Sequence, residues 1–152
     1  MASEPTLPNR CLTALVAACA AALVLSGCQT TGPPRDPAIL SGIPEAKTNA
    51  SALFTGLQRP APACTASANA EGFGKVEGNL GGLKSAADTA PMNRFSQAGF
   101  AKLQSSFASF KQGVAAGGAT CTPARIVTDF DGAFGKALDD LLAHEQAKKE
   151  AR

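Results

Sequence analysis

The chain has 152 residues, 45% of them hydrophobic and 17% charged, which is enough apolar content for one folded domain. Its formal charge of +2 is too small and too dispersed to form a nucleic-acid-binding face. Its aromatic residues are eight Phe with no Trp or Tyr, so it lacks the flat amphipathic platforms on which sugars stack.

Met1 to Asn9 is polar and carries Pro5 and Pro8; Arg10 then supplies a positive charge that Glu4 partly offsets. Cys11 to Leu25 is a run of Leu, Val, Ala and Cys interrupted only by Thr13. As a helix it rises about 22 Å, short of a hydrocarbon core of about 30 Å, and so suits a signal peptide better than a permanent span. Leu25-Ser26-Gly27-Cys28 ends the run. It resembles the lipobox of bacterial lipoproteins, in which small residues fit the narrow site of a peptidase and the Cys thiol takes a diacylglycerol. The resemblance covers residues 1–28. It implies a signal peptide over residues 1–27, cleavage before Cys28, lipidation of Cys28 and acylation of its new amino group, with palmitate as the expected acyl chain. Gln29, where an Asp would favour retention in the inner membrane, points by the same resemblance to the periplasmic face of the outer membrane. Each buried acyl methylene contributes about 0.8 kcal/mol, so two or three chains make a lasting anchor.

Residues 28–44 read as the lipidated Cys and a flexible tether. Pro33, Pro34, Pro37 and Pro44, with Gly32 and Gly42, break any helical or strand period. Residues 29–44 could reach about 50 Å at about 3.1 Å each.

Residues 45–152 read as a helical domain. Ala46, Ala50, Leu53 and Leu57 form a first apolar stripe, with Pro44 as a first-turn residue and Pro60 as its stop. The second is Phe73, Val76, Leu80, Leu83 and Ala87. Phe100, Leu103, Phe107, Phe110 and Val114 make the third, and Val127, Phe130, Phe134, Ala137 and Leu141 the fourth. Steps of three and four place each set on one helix face, and no sustained period-2 alternation marks a strand. Pro91 lies near the start of the third segment, Pro123 starts the fourth with Thr122 as N-cap, and Gly113, Gly117 and Gly118 separate the two. Gly72, Gly74, Gly78, Gly81 and Gly82 in the second segment each cost about 1 kcal/mol relative to Ala. They imply either a broken helix or a face that another helix approaches closely.

With Cys11 and Cys19 in the removed peptide and Cys28 lipidated, Cys64 and Cys121 remain, an even pair in an oxidising compartment. Each precedes a helical segment, the second and the fourth, which begin at the same end of an up-down bundle. A Cys64–Cys121 disulfide is therefore expected. Because diagonal helices of a four-helix bundle lie farther apart than neighbours, the bridge favours a three-helix core. The expected fold is thus an all-α up-down bundle of three core helices, with the first segment as an accessory helix docked on its side or left loose.

No residue set assembles a catalytic constellation. His144, the one histidine, continues the last stripe near the chain end, without a nucleophile and an orienting acid held beside it. One His and two paired Cys leave a zinc site short of ligands. Asp129-Phe130-Asp131-Gly132 resembles part of a calcium loop, but aligning Gly132 at loop position six puts Val127 at one and Leu138 at twelve, where acids are required. Gly72-Phe73-Gly74-Lys75-Val76-Glu77-Gly78 lacks the preceding strand of a phosphate-binding glycine loop. Asp139, Asp140 and Glu145 read as a solvated helix face. Phe95, Phe100, Phe107 and Phe110 read as core, with a lipid-accepting groove or a partner interface as the alternatives.

These readings lead to a lipid-anchored envelope protein that binds or scaffolds another envelope protein or itself. It is expected to have no catalytic activity, no cofactor, no metal and no nucleic-acid partner. The competing expectation is a carrier of a small apolar ligand or lipid in a Phe-lined interior.

Overall fold

The structure, a computed structural model, describes residues 34–148. The leader over residues 1–27, Cys28, and the tether as far as Pro33 lie outside the described residues. Four helices follow in order: α1 (Pro37–Leu57), α2 (Ala70–Thr89), α3 (Arg94–Ala116) and α4 (Ala124–Ala147). Among the described residues there is no strand, so the expected all-α class holds. No helix among them is long and apolar enough to cross a membrane.

The tether is shorter than its proline content implies. Asp36 caps α1 by accepting hydrogen bonds from the amides of Ala38 (2.8 Å) and Ile39 (3.4 Å), and Pro37 occupies the first helical turn. Pro44 sits inside this helix, where an interior proline costs about 3 kcal/mol. Ile39 and Ile43 are both fully buried, and at about 1.5–3 kcal/mol each they outweigh that cost. Helix therefore replaces tether from residue 37 onward.

The same burial changes the role of α1. Ile39, Ile43, Ala46, Ala50, Leu53, Phe54 and Leu57 are all buried in the common core, so α1 is a full member of it rather than an accessory. The helices form a ring in which α1 packs on α2, α2 on α3, α3 on α4, and α4 back on α1. Every adjacent pair is antiparallel. Lys47 of α1 meets Asp139 of α4 at 2.5 Å while Gln58 meets Thr128. Asn49 donates to Asn79 of α2 at 2.7 Å, Lys111 of α3 pairs with Glu77 of α2, and Gln97 of α3 donates to the Ala87 carbonyl. Six phenylalanines form one network of ring contacts among the helices. Phe73 touches Phe107, Phe107 touches Phe134, and Phe54 stands edge-on to Phe110, Phe130 and Phe134 at 5.7–6.0 Å. Phe110 and Phe130 stack at 4.2 Å. The Phe54–Phe110 contact joins α1 to α3 across the ring.

The glycine-rich α2 is unbroken. Gly74, Gly78 and Gly82 have open space where a Cβ would stand, so they lie on the outer face. Gly72 differs, since a Cβ there would come within 3.1 Å of Leu53 on α1. Two boundaries also move. α3 starts at Arg94, after an Ala90–Asn93 turn in which Met92 has φ 56°, and α4 is preceded by Pro123 with no side-chain cap from Thr122.

Candidate functional site

The two ends of the bundle have different chemistry. One end gathers the start of α1, the α2–α3 turn and the end of α4. There Asn93, Ser96, Glu145 and Lys148 make a buried polar cluster, with Ser96 and Glu145 wholly inaccessible. The Lys148 ammonium donates to Asn93 Oδ1 at 2.6 Å and to the Glu145 carboxylate, which also accepts from the Ser96 hydroxyl at 2.5 Å. Among the described residues Glu145 Oε2 and Asn93 Nδ2 have no hydrogen-bond partner. Burial pushes the Glu145 carboxyl up, but the hydrogen bonds from Lys148 and Ser96 and the Lys148 charge more than offset it. The net effect holds the group below the usual carboxylate value of 4.5.

Glu145, expected on a solvated helix face, is instead buried, and Asn93 and Ser96 were not singled out from the sequence, yet these residues extend its stripes. Ser96 lies four residues before Phe100, and Glu145 four after Leu141. A helical period that runs on into polar residues is the signal that points to them.

The surface beside this cluster carries two large apolar side chains. Met92 and Phe95 are 64% and 56% exposed, and Arg94 between them is also exposed. His144 lies half-buried with its ring 4.2 Å from that of Phe95. It is a stacking partner for an aromatic side chain, with no nucleophile among the described residues hydrogen-bonded to it. Arg35, at the entry to α1, donates to the Gln146 carbonyl at 2.7 Å and ties the incoming chain to the end of α4.

The opposite end holds the disulfide. Cys64 and Cys121 are bonded, with Cα atoms 5.4 Å apart. The expected bridge is present, but it does not require a three-helix core. Both cysteines lie in connections rather than on helices, and the link over residues 58–69 is long enough to cross the end of a four-membered ring. Asn69 organises that link by donating to the carbonyls of Ala63 (2.7 Å) and Thr65 (2.9 Å). Beside the bridge, Phe110, Val114, Pro123 and Ile126 line an open apolar groove of about 400 Å³.

The other candidates separate. Asp129 pairs with Arg125 along exposed α4, so Asp129-Phe130-Asp131-Gly132 is helix rather than loop. Asp139 pairs with Lys47, Asp140 with Lys136, and Glu145 points inward, so these three acids do not converge. Among the described residues no three His, Cys, Asp or Glu side chains are grouped to hold a metal ion. Residues 72–78 form part of α2. Phe100 and Phe107 are core, Phe110 is half-buried against Phe130, and Phe95 leaves the stripe for the surface. Comparison with protein-family models, with curated proteins and with solved structures finds no match for this chain.

Proposed function

We propose that the protein is a lipid-anchored lipoprotein of the cell envelope, whose helical bundle is a non-catalytic binding or scaffolding module facing the periplasm from the outer membrane. The observation that carries the reading is Leu25-Ser26-Gly27-Cys28 at the end of the apolar run 11–25. The Cys64–Cys121 bridge suits it, because such bonds persist in oxidising compartments. The phenylalanine interior is filled by its own rings, which favours a scaffold over a carrier. The partner is another envelope protein or a second copy of the chain. Metabolic labelling with a clickable fatty acid tests the anchor: the wild-type chain takes the label and Cys28→Ser does not. A wild-type chain that is exported unlabelled and soluble overturns the reading. Crosslinking in intact cells tests the scaffold, and recovery of the monomer alone at every expression level counts against it.

A further inference from the structure

We propose that Met92, Arg94 and Phe95 form a docking face that seats this end of the bundle on the phospholipid surface to which Cys28 anchors the chain. The inference rests on the lipoprotein reading and adds an orientation to it. Its first support is chain length. With α1 beginning at Pro37, only residues 29–36 separate Cys28 from the bundle, and eight residues span at most about 28 Å. That segment enters at the end carrying the α2–α3 turn, because Arg35 is bonded to Gln146 and His144 lies on Phe95. A short linker turns docking into an intramolecular event, so even a small apolar patch can hold the bundle down.

The second support is what the patch is made of. Met92 and Phe95 are the large hydrophobic side chains most exposed among the described residues. Met92 stands at φ 56°, a left-handed conformation that Gly adopts without penalty and Met does not. The turn thus carries a strained, outward apolar residue where a glycine would be cheaper. Charge is the third support. Among the described residues the acids nearby are engaged: Asp36 caps α1, Asp88 pairs with Lys84, and Glu145 is buried against Lys148. Arg94 remains outward between the two apolar side chains, suited to the phosphates of anionic lipid. Phe95 and Met92 would enter the headgroup boundary beside it.

The chain contains no Trp, so one introduced Trp is a unique reporter. Full-length acylated Phe95→Trp and, independently, Met92→Trp are reconstituted into vesicles of phosphatidylethanolamine and phosphatidylglycerol with brominated acyl chains. Ile126→Trp, at the disulfide end, serves as control. Flotation and the intact mass of the Cys28 peptide report the anchor separately. The expected result is a blue-shifted emission and loss of intensity to bromine for Trp at 95 and at 92, with no loss to bromine for Trp at 126. A floated, acylated chain whose Trp at both 95 and 92 stays water-exposed overturns the docking face and leaves the anchor standing. So does burial of that Trp only as protein density on the vesicle rises, which would assign the face to a second copy. A chain that is not acylated and does not float overturns both readings.

Discussion

Single residues decide whether α2 is fragile or merely unoptimised. Its outer glycines have nothing to pack against, so Gly78→Ala raises stability by about 0.5–1 kcal/mol, read as a higher melting temperature. Gly56→Ala does the opposite. A Cβ there would stand 2.2 Å from Asn69 Oδ1, and Asn69 cannot move without losing its bonds to Ala63 and Thr65. The buried Glu145–Lys148 pair sets a second test. Lys148→Met leaves a carboxylate buried beside Ser96 and costs about 3 kcal/mol, whereas the double variant Glu145→Leu with Lys148→Met recovers most of that in urea unfolding. Because the Glu145 carboxyl sits below its usual 4.5, its contribution is complete above about pH 4.5. It fades as the pH falls through the lower folded value, where the carboxylate takes up a proton. The stability difference between wild type and Glu145→Gln is therefore flat near neutral pH and shrinks in acid.

At the scale of the helix, α1 shows how tertiary burial overrides a local breaker. Pro44 lacks an amide hydrogen and its ring crowds the preceding turn, yet the helix continues from Pro37 to Leu57. Ser41 and Thr48 donate their hydroxyls to the carbonyls of Pro37 and Pro44, which adds local bonding around the interruption. Pro44 itself is exposed, so Pro44→Ala removes the interruption without disturbing the core. The expected gain is up to about 3 kcal/mol, measured by chemical unfolding. The stripe beginning at Ala46 was legible because its steps are regular. Ile39 and Ile43 continue the same face toward the N-terminus, but the prolines around them read as tether, since local propensity carries no knowledge of the core they reach.

For the whole molecule, one covalent bond and one aromatic cluster hold the ring closed. The disulfide spans a sequence separation of 57, which in the chain-entropy model corresponds to about 4 kcal/mol. Cys64→Ala with Cys121→Ala is expected to lower stability by that amount while preserving the helical circular-dichroism spectrum. The protein then depends on packing of the Phe54-centred cluster, to which all four helices contribute.

The sequence by itself determined the helical class and most of each apolar face, though Phe54 and Leu138 fell outside the predicted stripes, because period is a property of order along the chain; the Cys64–Cys121 pair was expected from it once Cys28 was read as lipidated. It also contained Leu25-Ser26-Gly27-Cys28, the motif on which the proposed anchor rests. Only the tertiary structure decided that α1 is core, that loop cysteines bridge a four-membered ring, and that Ser96 and Glu145 face one another inside it. It also left Phe95 outside while Phe100 went in. The physical reason is common to these cases. Burial is a relation between distant segments, and the free energy that selects helix over tether, or core over surface, arises only when those segments meet.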